Sequence, residues 1–152
     1  MTALQDLALR QLDQTLEPAV ALRGLAPPRT GWATAIRSAL GLTMRQMGKR
    51  LGLSQSSYAD AEANEAKGTI SLNQLRRVAD ALDCDLVYAL VPRRPLAEVV
   101  DRRATELARR DVLGVAHSMA LEQQASSEAL TEAQVARAKA ERLAGRWSRL
   151  WD

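Results

Sequence analysis

Phenylalanine is absent from this chain of 152 residues, aromatic residues make up 3% of it, and cysteine and histidine occur once each. Each scarcity excludes something. Cys84 alone can form neither an intramolecular disulfide nor a zinc site, and it reads as a small core residue. His117 has no second His or Cys at ligand spacing, so metal catalysis and Cys–His nucleophilic chemistry lack the residues they need. No apolar run approaches the roughly 18 residues of a membrane span, and Met1–Arg10 has neither the basic start nor the apolar stretch of a signal peptide. The expected protein is therefore cytoplasmic, with no membrane partner. No low-complexity tract, repeat or clustered acid–base constellation occurs, so neither an enzyme nor a cofactor is expected.

What is present is aliphatic. Hydrophobic residues are 47% and charged residues 26%, a balance suited to one modest core, and the excess of Ala and Leu over β-formers points to an almost all-α protein. The net charge of +3 divides as 0 over residues 1–29, +2 over 30–93 and +1 over 94–152. No block is a basic tail, and a nucleic-acid face would have to come from local geometry.

Leu4, Leu7, Leu9, Leu12, Leu16 and Val20 recur mostly at three- and four-residue steps, which predicts an amphipathic helix from Ala3 to about Leu22, open to interruption at Pro18. A Pro-rich linker with Pro27-Pro28 ends it near residue 29. Three short helical segments follow from Thr30, then a fourth from Ser71 to about Asp83. Leu86, Val87, Tyr88, Ala89, Leu90 and Val91 suit a strand that Pro92 closes. A lone strand needs a partner, so this one either pairs with its equivalent in a second subunit or lies as an extended tail on the helices. From Ala97 to about Gln124, and from Glu128 to about Trp151, the pattern returns to helix, with Ser126-Ser127 as the cap between. Trp147 and Trp151, four apart near Leu143 and Leu150, are either interface anchors or packing against the first helix or its dimer mate.

The densest signals lie between residues 43 and 82. Thr43-Met44-Arg45-Gln46 is a capping box that starts a helix at Met44, with Met44, Met47 and Leu51 facing inward. Gly48 sits where no bulk fits, and Gly52 ends the helix because it tolerates left-handed dihedrals. Ser54 caps a second helix, Gln55 to about Ala63, anchored by Tyr58 and Ala61. Ser71-Leu72-Asn73-Gln74 is another capping box, followed by Leu75, Val78, Ala79 and Leu82 on a buried stripe. Two short helices across a tight turn, braced by a third, have helix-turn-helix spacing.

This stretch resembles the Cro/repressor-like (XRE) DNA-binding domain: a helix end at Ile36–Leu42, then Thr43–Leu51, Gly52-Leu53 and Ser54–Glu62. The resemblance implies that the helix beginning at Ser54 enters the major groove. Gln55, Ser56 and Asp60 match base-reading positions; Gln pairs with adenine, Ser donates or accepts, and Asp accepts from a cytosine amino group. For Asp60 the alternative is a solvated helix carboxylate. Phosphate contacts are expected from Thr43, Ser57 and the loop residues Asn64 and Lys67, with Arg45 and Lys49 as nearby cations. Met44 stands where the family often has Gln, and Ala59 where a longer reader is common. A dimer would offset both losses by joining two half-sites of operator DNA.

End to end, the chain resembles the bacterial family called mobile mystery protein A. The stretches that carry this are Arg10-Gln-Leu-Asp13, Gly31-Trp-Ala-Thr-Ala-Ile36, the helix-turn-helix, Leu75-Arg-Arg77, Ala81 to Pro92, His117-Ser-Met-Ala-Leu-Glu122 and Arg149-Leu-Trp-Asp152. The resemblance implies a Fic-domain partner, mobile mystery protein B, encoded alongside, and hence an antitoxin that represses its own operon. Ser118 and Glu122 have the spacing of the inhibitory helix of small Fic antitoxins, whose Glu occupies the arginine that holds the ATP γ-phosphate; Gln123 stands where that motif has Gly or Asn. An i, i+4 pair shares one helix face, and a carboxylate–guanidinium fork is strong and selective. The alternatives are a plain regulator of a mobile element, and an ordinary helix over 118–122. The expected architecture is residues 1–29 as helix and linker, 30–93 as the DNA-binding domain with its short strand, and 94–152 as a helical partner-binding region.

Overall fold

The computed structural model describes residues 2–120 and 128–152. It is helical throughout: α1 (Thr2–Leu16), a 3-10 helix (Glu17–Gly24), α2 (Trp32–Ala39), α3 (Met44–Leu51), α4 (Gln55–Lys67), α5 (Leu72–Ala81), α6 (Leu96–Ala120), α7 (Glu128–Ala144) and a last 3-10 turn (Trp147–Leu150). The chain divides into two units, one of residues 21–90 and one built from residues 1–20 and 91–152.

The unit of residues 21–90 is a bundle of α2 to α5. Its core is Ala33, Met47, Tyr58, Val78 and Leu82, with Ile36, Leu42, Met44, Leu51 and Cys84 partly buried against it. Cys84 is thus a core-edge thiol, its Sγ donating to the Leu82 carbonyl at 3.4 Å. Burial of a Leu- or Met-sized side chain contributes about 1.5–3 kcal/mol, so this handful of residues carries most of the bundle's hydrophobic stabilisation. Two arginines tie helix ends together. Arg50 of α3 donates to the Ala81 carbonyl at the end of α5 (2.8 Å), and Arg77 of α5 donates to the Leu51 carbonyl at the end of α3 (3.0 Å). Each cation satisfies an orphan acceptor at the negative end of the other helix.

In the other unit α6 packs on α7, α1 and the last 3-10 turn, around Ala104, Leu107 and Leu150, with Val100, Leu143 and Trp147 at the edge. Asp13 of α1 caps α6 from outside, its carboxylate accepting from the amides of Leu96 (2.7 Å) and Ala97 (3.0 Å). Arg103 donates to the Leu150 carbonyl at 2.6 Å, and Arg142 pairs with Asp111.

Four expectations change. The first helix stays α-helical only to Leu16, because Pro18 lacks an N–H and its ring clashes with the preceding turn, and the chain continues as 3-10. The last helix stops at Ala144, before Gly145, so Trp147 and Trp151 are not on one continuous helix; Trp147 is half-buried and donates to the Leu143 carbonyl (2.9 Å), whereas Trp151 is exposed. The recognition helix continues to Lys67, so Asn64 and Lys67 are helical rather than loop residues. Leu86, Val87, Tyr88, Ala89, Leu90 and Val91 form no strand, because a single extended segment has no ladder partner within one chain; no strand occurs among the described residues. The expected end of α6 near Gln124 and the Ser126-Ser127 cap lie outside the described residues.

Candidate nucleic-acid interface

The helix-turn-helix is assembled by its caps. Thr43 Oγ1 accepts from the Gln46 amide (3.2 Å) and Gln46 Oε1 accepts from the Thr43 amide (2.8 Å), the full reciprocal box. At Gly52 the backbone is left-handed (φ 68°), and the Leu53 amide donates back to the Gly48 carbonyl at 2.8 Å. Gly48 is the close approach in this turn: a Cβ there would stand 2.7 Å from the Leu53 carbonyl oxygen and 3.1 Å from that of Ser54. Ser54 Oγ then accepts from the Ser57 amide (3.0 Å), donates to Ser57 Oγ (2.8 Å) and lies 3.1 Å from Ser56 Oγ. The cap serine thereby organises the two hydroxyls that follow it. At α5 only half of the expected box forms, with Ser71 Oγ accepting from the Gln74 amide at 3.1 Å.

Helix α4 is sided. Tyr58, Ala61 and Glu62 are buried, and Glu65 lies on the same face at helical spacing. The opposite line of Ser56, Asp60, Ala63 and Lys67, at steps of four, three and four, is exposed, with Gln55 exposed at the helix start. On α3, Arg45 and Lys49 sit one turn apart and exposed. Among the described residues none of Arg45, Lys49, Asp60 and Lys67 forms an ion pair within the protein, so their charges are free for an outside ligand. Thr43, Ser57 and Asn64 complete the expected set: the first two are exposed cap-region hydroxyls, and the third is half-buried, with its carbonyl accepting from the Thr69 and Ile70 amides at 2.8 and 3.2 Å. Met44 turns into the core, which explains why this position holds no exposed Gln.

Two carboxylates on the inner face fix the angle of this helix. Glu65 accepts from the amides of Trp32 (2.7 Å) and Ala33 (2.9 Å), capping α2 in place of a local side chain. Glu62 forms a fork with Arg37, Nε to Oε1 at 2.5 Å and Nη2 to Oε2 at 3.1 Å, while Arg37 Nη1 donates to the Leu42 carbonyl at 2.9 Å. Burial pulls the Glu62 carboxyl upward, yet the Arg37 hydrogen bond, aided by Tyr58 and Thr34, holds it below its usual range. The Glu62 bond raises the Arg37 guanidinium against the opposing pull of burial. Tyr58, fully buried beside the pair, has its phenol pushed up by desolvation first and by Glu62 second. The Arg37–Glu62 fork and the Glu65 cap escaped the sequence reading, as did Ala63 on the outer line, whereas Tyr58 was expected as an anchor. The available signal was the 58, 61, 62, 65 spacing, which places two Glu on an otherwise apolar face.

Ser118 is exposed near the end of α6 and donates to the Gly114 carbonyl at 3.2 Å; Glu122 lies outside the described residues. No group of metal-ligating side chains occurs among the described residues, and no described helix is long and apolar enough to cross a membrane.

Capped short helices, a glycine turn and a free polar line on the third helix of the bundle define a helix-turn-helix DNA-binding domain. Residues 35–88 match the helix-turn-helix family model, a match that supports a Cro/XRE-like domain for DNA binding in transcription regulation. No curated protein and no solved structure matches the chain.

Proposed function

We propose that this chain is the antitoxin of a Fic-type toxin–antitoxin pair, which binds operator DNA as an autorepressing dimer in the bacterial cytoplasm and restrains a Fic-domain nucleotidyltransferase. The observation that carries the DNA half is the outward line of α4: Gln55, Ser56 and Asp60 stand exposed at the start of a helix whose inner face is bolted down. Gln55 reads an adenine, Ser56 an adjacent base edge and Asp60 a cytosine amino group, while Thr43, Arg45, Lys49, Ser57, Asn64 and Lys67 hold phosphates. The Fic half is supported by the resemblance to mobile mystery protein A and by the Ser118–Glu122 spacing, with residues 94–152 as the partner-binding region. In this reading Glu122 occupies the arginine that would otherwise position the nucleotide γ-phosphate.

Co-expression with the adjacent Fic protein tests it. A stable complex whose nucleotide transfer is silent in wild type and restored by Glu122→Gly, with operator binding unchanged, is expected; the substitution removes one charge-assisted pair of about 1.5–3 kcal/mol. A wild-type chain that neither binds nor restrains the enzyme leaves only the plain transcriptional regulator.

A further inference from the structure

The last turn of the unit built from residues 1–20 and 91–152 gathers more cations than its own structure uses. After α7 ends at Ala144, Arg146 leads into the 3-10 turn of Trp147–Leu150, and the Arg149 amide donates back to the Arg146 carbonyl at 3.2 Å. Three residues make one revolution of such a turn, so residues three apart stand on the same side. Arg146 and Arg149 accordingly line one cleft of about 330 Å³, with Arg142 of α7 as a third cation in its wall. Arginines at the helix ends of the DNA-binding bundle serve orphan carbonyls, but here those acceptors are taken. The Arg142 carbonyl accepts from the Gly145 amide (3.2 Å), that of Leu143 from Trp147 Nε1 (2.9 Å) and that of Leu150 from Arg103 Nε (2.6 Å). The carboxylates of the cleft are committed as well, Asp111 to Arg142 and Glu141 to Arg137 at 3.2 Å. Arg146 and Arg149 are exposed, and neither side chain has a hydrogen bond or an ion pair among the described residues.

We infer that this cleft binds a phosphate group, as the free ion or as the phosphate of a small monoester. Two like charges held side by side in a concave site repel, and an anion between them removes that cost. With Asp111 and Glu141 offset by Arg142 and Arg137, two positive charges remain, the counterpart of a phosphate dianion. A carboxylate would neutralise only one of them. Planar guanidinium forks also match the oxygen edges of a tetrahedral phosphate, which offers a separate edge to each arginine. The volume lies at the lower end of small-molecule sites and exceeds what the ion alone fills, leaving room for a small organic group where Ala138 and Leu150 supply the apolar part of the wall. The inference is independent of the Fic partner and of DNA reading by α4.

Calorimetric titration of the full chain with inorganic phosphate and with AMP, at an ionic strength held by sodium chloride, tests it, with adenosine as the uncharged control. Saturable binding at one site is expected for a phosphate-bearing probe and none for adenosine; AMP tighter than phosphate identifies a monoester as the ligand, and phosphate without AMP the free ion. Arg146→Gln and Arg149→Gln should each weaken that binding about tenfold. Arg110→Gln, which removes an exposed and unpaired arginine of α6 outside the cleft, should leave it unchanged. Without phosphate the double variant should melt no lower than wild type, because it loses a repulsion and no partner. The site is overturned by the absence of saturable binding, by equal losses in all three single variants, or by a double variant that melts lower without phosphate, which would assign the arginines to the fold. Losses confined to random duplex DNA overturn it too, since they would make Arg146 and Arg149 contacts to a nucleic-acid backbone.

Discussion

Single residues decide whether the recognition helix exists in a usable position. Gly48→Ala places a methyl 2.7 Å from the Leu53 carbonyl oxygen, and because the obstacle is backbone the turn itself must shift. The expected cost is about 1–3 kcal/mol in thermal or denaturant unfolding, with operator affinity falling as well. Glu62→Ala leaves the Arg37 guanidinium buried without its partner and should cost about 3–5 kcal/mol by the same measurement. The pair also sets an acid limit. The folded Glu62 pKa lies below its ordinary 4.5, so its contribution is complete above that value and disappears as pH falls through the lowered folded pKa. Wild type should therefore lose stability below about pH 4.5, and Glu62→Gln should flatten that part of the profile. Gly48 was legible in the sequence because a glycine inside a capped helix beside a tight turn has few other reasons to be there. The Arg37–Glu62 fork was not, since pairing over a separation of 25 residues depends on where two helices cross, which no local pattern encodes.

At the scale of elements, caps were the most readable feature and helix ends the least. Thr43, Ser54 and Ser71 each begin a helix, the short hydroxyl side chain accepting from the amide three residues on. The end of α4 was misplaced because Ala63 to Lys67 contains no strong breaker before Gly68, where the backbone turns left-handed. That extra turn makes Lys67 the far end of the outer line and Gln55 the near end, and the two should respond differently to mutation. Gln55→Ala should lose about 1–3 kcal/mol on the cognate operator and relax preference at one base pair per half-site, whereas Lys67→Ala should weaken all sequences alike. Titrations on operator and on random duplex check both; equal losses for Gln55→Ala would remove it from the readers. No strand forms within the single chain for a related reason: β-propensity marks a segment fit for pairing, and pairing requires a second strand.

For the whole molecule, charge arithmetic misleads unless the arginines are located. Arg37, Arg50 and Arg77 are occupied by a carboxylate or by helix-end carbonyls, and what faces outward on α3 and α4 is Arg45, Lys49 and Lys67. Three cations per half-site give about six for a dimer, so the logarithm of operator affinity should fall with the logarithm of salt at a slope of about −5. Filter binding over a salt series measures it, and a slope near zero would deny these cations their phosphates. The division of the chain has a consequence in time. Residues 21–90 are continuous, but the other unit draws on residues 1–20 and 91–152, with Asp13 capping a helix that begins 83 residues later. During synthesis the DNA-binding bundle is complete as soon as residue 90 has left the ribosome, while α1 waits for α6 to emerge. A nascent chain can thus acquire its DNA-reading half before its second unit, and premature termination between residue 90 and the start of α6 yields a bundle carrying an unpacked α1, the segment that proteases should remove first.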